Sequence, residues 1–482
     1  MDIINFIGHT LQKVDLTLFL DKKQRFFDIC FNFFLIILIY KKINSGEKLM
    51  DPKILAALIL FITYVILFSE MVNRAIVAML GACIMIICGI LTQSTAISGI
   101  DFNTIFLLIG MMIIAGISEK SGIIEYIAVW SVKKVKANPR LLMLILGCLT
   151  ALLSALLDNV TTVLLIVPIT FQITKQLKIP PYPYLLLEIF TSNIGGTATL
   201  IGDPPNILIG SALNLSFMDF VKELTPIVLV VLFITILIFD LYWHNKINTS
   251  EEDCHAIMKI DEKQYIKNKK LSFISTFILL FVIFCFISAE HIKIENGTIA
   301  LFGAAILLLI YSFMHSPEER EHKIAEAFNL IDWTTIFFFA GLFIIVHGLE
   351  TTGFLKIIGD KLSDFSQGNI RKMSMIVLWF SAILSSAIDN IPFVATMIPL
   401  LKSVEESLGG REAMMPVWWA LSLGSCFGGN GSLIAASANV IVAGIAAREN
   451  QPIKFGHFLL WSIPITFISI IIASIFLYIE YF

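Results

Sequence analysis

The chain has 482 residues, of which 57% are hydrophobic and 15% are charged, and its formal net charge is −3. Soluble globular domains are close to half apolar and about one quarter charged, so this composition excludes an ordinary soluble protein. The near-neutral charge gives no indication of a nucleic-acid partner. The cysteines are scattered without a CxxC pair, which argues against a disulfide framework or a metal centre.

Long apolar segments follow one another along the chain, as expected of a membrane protein. The first short run, 26–40, predicts one probable extra span within an N-terminal segment, 1–50. Several of the later runs have roughly the 17–25 residues that cross the hydrocarbon core of a bilayer. These almost uncharged runs are residues 54–69, 75–91, 104–118, 226–243, 271–289, 298–314, 335–349 and 458–479.

Two pairs of segments in this series resemble each other. Residues 101–122 align without gaps on 332–353, and SALLDNVTTVLLIVP (154–168) aligns on SSAIDNIPFVATMIP (385–399). Chance similarity between apolar helices is the alternative, but polar residues stand in register throughout. The sequence therefore predicts an internal repeat.

The repeat extends further along the chain. With a slightly larger offset, NIGGTATLIGDPPN (193–206) aligns on CFGGNGSLIAASAN (426–439). We predict a first half at 51–245 and a second half at 271–482, joined by the charged linker 246–270. The distribution of Lys and Arg favours a cytoplasmic linker.

Each half contains an apolar segment interrupted by an Asp-Asn pair, at 158–159 and 389–390. If the chain turns back there, the segment enters and leaves the membrane on one side. Each half then crosses an odd number of times, so the second half is inverted relative to the first. The predicted fold is an all-α polytopic membrane protein with an inverted repeat, about 11 transmembrane helices and two re-entrant hairpins.

The Asp-Asn pairs are also the strongest indication of function. An ionisable group at membrane depth is costly and by default marks a functional site. Each Asp could instead cap the helix that follows a hairpin tip, with Thr161 or Thr162 helping. Ser, Thr or Asn would cap at a lower desolvation cost, so equivalent carboxylates in both halves favour function. The two roles are compatible.

A second feature is a helix broken by glycines in each half. Residues 191–206 contain three glycines and restart a helix at Pro204 after Asp203, and 424–439 repeat the design. Unwound backbone inside a membrane is tolerated only where it is buried or lines a cavity. Free carbonyls there suit a cation such as Na⁺, while a new helix N-terminus suits an anion or an oxygen-rich neutral solute. A simple kink is the alternative.

These features together define the predicted site. Asp101 and Asp332 are interpreted as ordinary N-caps, and Glu188 is either a buried relay or a structural residue. The predicted substrate- and ion-binding residues are Asp158, Asn159, Thr161, Thr162, Ser192, Asn193, Gly195, Gly196, Thr197, Asp203, Asn206, Asp389, Asn390, Asn430, Gly431, Ser432 and Asn439. The residues predicted to bind Na⁺ are Asp158, Asn159, Asn193, Asp389 and Asn390.

The segments LLDNVTTVLLIVP, NIGGTATLIGDPPN, AIDNIPFVATMIP and GGNGSLIAASANVIVAGIA resemble the P protein and ArsB-like branch of the ion transporter superfamily, which includes arsenical pump membrane proteins and citrate-transporter-like domains. The resemblance covers about residues 50–482. It implies a homodimer in the plasma (inner) membrane of a prokaryote, with a scaffold domain and a transport domain that moves as an elevator.

One departure from the wider superfamily bears on the cargo. The dicarboxylate branch carries Ser-Asn-Thr at the tips, where this chain has Asp158-Asn159-Val160 and Asp389-Asn390-Ile391. Two unit charges ~4 Å apart repel by ~4 kcal/mol at an effective dielectric constant of ~20. Ionised aspartates would therefore oppose a dianion and favour Na⁺, H⁺ or, once protonated, a neutral solute.

The expected function is secondary active transport coupled to H⁺ or Na⁺, with no enzyme activity, no organic cofactor and no nucleic-acid partner. The cargo would be a small inorganic ion or solute: arsenite or antimonite, or the exchanged ions themselves. The alternatives are a passive anion (chloride) channel and an organic-anion (dicarboxylate) transporter on the same fold.

Overall fold

The computed structural model describes residues 51–69, 71–247, 249–259 and 261–482, and the span predicted at 26–40 lies outside them. Within these residues the regular secondary structure consists of helices, with no strand. The all-α prediction is confirmed.

The first half and the linker contain helices α1 to α11. Their bounds are α1 (Pro52–Ser69), α2 (Arg74–Ile87), α3 (Gln93–Ser98), α4 (Phe102–Ser121), α5 (Ile123–Lys134), α6 (Pro139–Leu156), α7 (Asn159–Gln176), α8 (Tyr182–Gly196), α9 (Pro204–Leu213), α10 (Phe217–Trp243) and the linker helix α11 (Glu251–Met258). A 3₁₀ turn, Glu262–Tyr265, completes the linker.

The second half repeats this order. Its helices are α12 (Lys269–Ile292), α13 (Asn296–Phe313), α14 (Arg320–Phe328), α15 (Trp333–Thr352), α16 (Phe354–Ser366), α17 (Ile370–Ala387), α18 (Asn390–Glu405), α19 (Arg411–Gly428), α20 (Ser437–Arg448) and α21 (Phe455–Tyr481), with a 3₁₀ turn at Glu406–Leu408. The boundaries of the halves and the linker stay a prediction.

Many of these helices are suited to a bilayer. Eight helices of the described part are at least 18 residues long and apolar enough to cross a membrane, and shorter apolar helical segments are Pro52–Leu67 of α1, α2 and α20. The eight are α4, α6, α10, α12, α13, α15, α17 and α21. The molecule is therefore a polytopic helical membrane protein, and the count of about 11 crossings stays a prediction.

The two halves exchange helix contacts in equivalent ways. A Cβ atom added to Gly110 in α4 would lie 2.5 Å from the carbonyl carbon of Ala300 in α13. Its repeat equivalent, Gly341 in α15, is related in the same way to Ala78 in α2, at 2.6 Å. Both distances are far below van der Waals contact, so only glycine permits these close helix crossings. Helix α2 thus packs on α15, and α4 on α13.

The interrupted segments form helical hairpins. Leu157 and Asp158 alone separate α6 from α7, and Ile388 and Asp389 separate α17 from α18. The members of each helix pair contact each other. The chain therefore turns sharply at each Asp-Asn pair, as the sequence predicted.

The broken helices lie along the first arms of these hairpins. A Cβ on Gly195 in α8 would meet the carbonyl oxygen of Ala151 in α6 at 2.2 Å. The equivalent Gly428 in α19 faces the carbonyl oxygen of Ala382 in α17 at 2.8 Å. These glycines bring the unwound breaks beside the hairpin tips.

Ion pairs fasten the linker to the first half. Lys178 Nζ lies 2.8 Å from Asp253 Oδ1, and Lys133 Nζ lies 2.5 Å from Glu262 Oε2. The hydrogen bond from Lys178 lowers the pKa of the Asp253 carboxyl, and the one from Lys133 lowers the pKa of Glu262. Ion pairs near the surface add little stability each, but these two fix the course of the linker.

Candidate ion and solute site

The tip aspartates are helix caps in both halves. Asp158 accepts hydrogen bonds from the Thr161 backbone N–H at 2.7 Å and from Thr161 Oγ1 at 2.6 Å. Asp389 accepts from the Ile391 backbone N–H at 3.0 Å. The capping role weighed from the sequence is thus present, and ion binding at these two carboxylates stays a prediction. These caps fix the positions of Asn159 and Asn390, which are the first residues of α7 and α18.

Each break in the broken helices is closed by one asparagine. Asn206 Nδ2 donates to the carbonyl oxygens of Thr197 at 3.0 Å and Thr199 at 2.9 Å. Asn439 does the same for Gly429 at 2.7 Å and Ser432 at 2.8 Å. Buried carbonyls that left the helical ladder need such donors. The two unwound segments are therefore stabilised by the same side-chain device.

A network of buried asparagines joins the two halves. Asn193 Nδ2 donates to Asn430 Oδ1 and to Asn439 Oδ1, each at 2.9 Å. Ser422 Oγ donates to Asn206 Oδ1 at 2.6 Å. These contacts connect the break of one half to the break of the other across more than 200 positions of sequence. The structure thus brings together the two breaks, both of which contain predicted site residues.

Asp203 lies where the hairpin tips approach the breaks. Its side chain is 1% exposed, and its Oδ1 lies 3.3 Å from Asn159 Nδ2 and 3.5 Å from Asn390 Nδ2. Its Oδ2 is buried and accepts no hydrogen bond from an N–H or O–H group of the described residues, and the Cys426 thiol lies beside the carboxyl group. No basic side chain among the described residues lies within ion-pair distance of it. A buried carboxyl in this setting calls for a proton or a bound cation.

We call Asn159, Asn193, Asp203 and Asn390 the central cluster. Asn159 Nδ2 also lies 3.3 Å from Asn193 Oδ1, so its amide is shared between Asn193 and Asp203. Asn159, Asn193 and Asn390, which were predicted to bind Na⁺, therefore lie together around the Asp203 carboxylate. Asp203 was predicted as a binding residue but not as a Na⁺ ligand. Asp158 and Asp389 are each one residue outside the cluster.

The other predicted residues support or border the cluster. Ser192 Oγ donates to the Asn159 carbonyl at 3.2 Å, and Thr197 Oγ1 donates to the Asn193 carbonyl at 2.8 Å. The Gly431 carbonyl accepts from Ser462 Oγ at 2.8 Å, outside the cluster. Two hydroxyls, Thr162 Oγ1 and Ser432 Oγ, are buried and have no partner within the described residues.

Two cavities reach the tips. One, of about 220 Å³, is lined by Asp158, Asn159, Asp203 and Asn390, together with Asp332, the N-cap of α15. The other, of about 350 Å³, reaches Asp389. Asp332 was interpreted as a plain cap, and it does accept hydrogen bonds from Thr335, but it also faces the first cavity.

Arg74 lines both cavities and was missed by the sequence analysis. Its Nη1 lies 3.4 Å from Asp389 Oδ2 and 3.1 Å from Ser437 Oγ, and its Nη2 lies 2.7 Å from Thr335 Oγ1. The only signal in the sequence is a lone cation at the start of an apolar helix. Nothing local indicates that it meets an aspartate 315 positions further along the chain.

A family model described as "Citrate transporter" (CitMHS) matches residues 58–424, which is most of the chain. The chain belongs to the citrate transporter family. The resemblance to the ion transporter superfamily, inferred from the four motifs, is confirmed.

Two relatives of this citrate transporter family member are themselves described as transporters. It is 38% identical over 433 residues to a protein of Mycobacterium bovis described as an uncharacterised transporter, covering 89% of this chain and 99% of that one. A second protein so described, from Synechocystis, is 29% identical, with 85% and 94% covered. The human P protein is 30% identical over 504 residues, which cover 88% of this chain but only 59% of the P protein.

The fold of this family member has a solved counterpart. The crystal structure of the YdaH transporter of Alcanivorax borkumensis matches with a TM-score of 0.53 at 12% identity, covering 89% of this chain and 98% of that one. At this identity the likeness concerns the fold alone, which is that of a polytopic transporter.

Proposed function

We propose that the chain is a secondary active transporter coupled to H⁺ or Na⁺, with the coupling cation held at the central cluster. The observation that carries this proposal is Asp203, a fully buried carboxylate: amides from both hairpin tips contact one oxygen, and no N–H or O–H group of the described residues donates to the other. A cation or proton there would join both tips to both breaks, so its binding and release would alter contacts in both halves.

The charge of the first cavity favours a cation. Asp158, Asp203, Asp332 and Glu119 line it, against one basic residue, Arg74, among the described lining residues. A low-dielectric cleft lined by one sign of charge concentrates the opposite ion. The cargo itself is then a cation or a neutral solute such as arsenous or antimonous acid, and exchange of Na⁺ against H⁺ is the simplest cycle.

The helical arrangement suits alternating access. The hairpins and broken helices would form a transport domain that moves against a scaffold containing α2, α4, α13 and α15, whose close glycine crossings make them a rigid group. We further propose that the protein works as a homodimer in the plasma membrane. Cross-linking in native membranes followed by electrophoresis would test the dimer.

The test is flux into proteoliposomes that contain the purified full chain. Uptake of radioactive Na⁺ and of arsenite is measured with imposed proton or sodium gradients, for the wild type and for Asp203→Asn. Loss of a charged ligand costs about 2–3 kcal/mol, so we expect gradient-driven uptake to fall about 100-fold.

Asp101→Asn is the matched control. Asp101 is the repeat equivalent of Asp332 and caps α4 through Asn103 and Thr104, and it is absent from the linings of both cavities. Wild-type uptake by Asp203→Asn would refute the proposal. Flux that only follows the voltage downhill would identify a passive anion channel instead.

An organic anion is a second candidate cargo. The family description names citrate, and Arg74 provides a guanidinium in both cavities, which is the preferred partner of a carboxylate. Citrate uptake in the same vesicles, and its dependence on each gradient, distinguishes this cargo from a cation or neutral solute.

A further inference from the structure

The two hairpin tips, although equivalent in the repeat, have different partners. Asp389 Oδ2 is paired with Arg74 at 3.4 Å. Asp158 receives hydrogen bonds from Thr161, and no basic side chain of the described residues lies within ion-pair distance of it. One carboxylate therefore already has a counter-charge, and the other lacks one.

The guanidinium at Asp389 is firmly held. Besides its bonds to Thr335 and Ser437, Arg74 lies 3.9 Å from Asp332 and its Cζ lies 5.4 Å from the centre of the Phe338 ring. Its side chain is 28% exposed. Arginine remains charged at any physiological pH, so this position carries a permanent, tethered cation.

The second half has no counterpart of Arg74 that could serve the first-half tip. The glycine crossings place Ala78 of α2 and Ala300 of α13 in equivalent positions, and the same register pairs Arg74 with Asn296. Asparagine is neutral, so the repeat supplies no tethered cation to Asp158.

The side chains near the two tips also differ, because two oxygen-bearing residues of the first half are replaced in the second half. Thr162, whose buried hydroxyl has no partner in the described structure, corresponds to Phe393, and Asn193 corresponds to Cys426. Alkali cations and protons are held by oxygen atoms, whereas phenyl and thiol groups are poor ligands for them. The first-half tip therefore has more oxygen ligands for an exchangeable cation than the second-half tip, where the Asp389 carboxylate is the main one.

We infer that Arg74 is a built-in cation that permanently fills the second-half position at Asp389, so that each chain loads a single exchangeable monovalent cation, at the first-half tip. This rests on the proposed coupling to H⁺ or Na⁺ and deepens it by fixing the stoichiometry. Asp158, Thr162 and the central cluster would receive the exchangeable ion.

The test counts cations on the purified full chain. Equilibrium binding of radioactive Na⁺ is combined with proton uptake followed by a pH-sensitive dye. We expect one cation per wild-type chain and two per Arg74→Gln chain, because an unneutralised Asp389 then recruits its own. The double variant Arg74→Gln/Asp389→Asn should return to one, and Arg74→Lys, which keeps a tethered charge, should stay at one.

Two results would overturn the inference: two cations per wild-type chain, or one per Arg74→Gln chain. Size-exclusion chromatography verifies that each variant is folded, and if Arg74→Gln is not, a wild-type count of two is still decisive. If no protein in the series binds Na⁺ or protons, the proposed coupling itself fails and the inference falls with it.

Discussion

The first-half and second-half tips share their architecture but not their chemistry. In both, an aspartate caps the second arm and a serine of the first arm, Ser154 or Ser385, donates to a carbonyl of the broken helix, at 2.7 and 2.6 Å. Only the second-half aspartate is paired with an arginine. In this chain the contacts that shape the two tips are shared, while the side chains proposed to determine ion binding differ.

The largest expected effect tests this difference between the two tips by changing Asp158 and Asp389. Asp158→Asn should reduce gradient-driven uptake about 100-fold, because no basic side chain of the described residues pairs with this carboxylate and the exchanged ion is proposed to neutralise it. The loss of uptake in Asp389→Asn should be smaller by about a factor of ten or more, since Arg74 keeps Asp332 and Thr335 as partners. Initial rates in proteoliposomes give both numbers. Equal losses would mean that the tips are functionally equivalent.

The shared architecture can be tested separately, through folding. Gly195→Ala places a methyl group 2.2 Å from the Ala151 carbonyl oxygen, and Gly428→Ala places one 2.8 Å from that of Ala382. Overpacking of this kind costs about 1–3 kcal/mol, so both variants should lower the thermal unfolding temperature, and Gly195→Ala more. Unchanged unfolding temperatures in detergent would contradict the close helix approach.

A smaller effect is expected from changing Thr162, which is proposed to contact the ion, and its repeat equivalent Phe393. Thr162→Val keeps the shape of the side chain and removes a buried hydroxyl, and we expect about tenfold weaker cation binding, or ~1.4 kcal/mol. Phe393→Thr, the reciprocal change, should create no new cation site, because Arg74 still occupies Asp389. Titration of both variants with radioactive Na⁺ and with protons is the measurement. A second bound cation in Phe393→Thr would show that Arg74 does not fill that position.

Much of the fold could be predicted from sequence because its signals are local. Asp158 followed by Thr161 predicts a cap, and glycines followed by Pro204 predict a helix that breaks and restarts, since each depends on neighbouring backbone geometry. The internal repeat then placed these features in equivalent pairs.

The parts of the site that were missed depend on packing between distant segments. Asp203 was predicted as a binding residue and a helix start, but its contact with Asn159 and Asn390 could not be predicted because it arises only when both hairpins close on the breaks. Arg74 begins a helix whose sequence predicts nothing but a span. Its role follows from the crossing of α2 with α15, which brings it beside the second tip.

Cation binding by Asp203→Asn shows most directly whether the buried Asp203 carboxylate holds the coupling ion. The purified variant and the wild type are compared for Na⁺ binding and proton uptake at equilibrium, without any transport assay. We expect one exchangeable cation per wild-type chain and loss of that cation in the variant, with a folded protein by size-exclusion chromatography. A variant that binds the same cation with wild-type affinity would contradict a coupling site at Asp203.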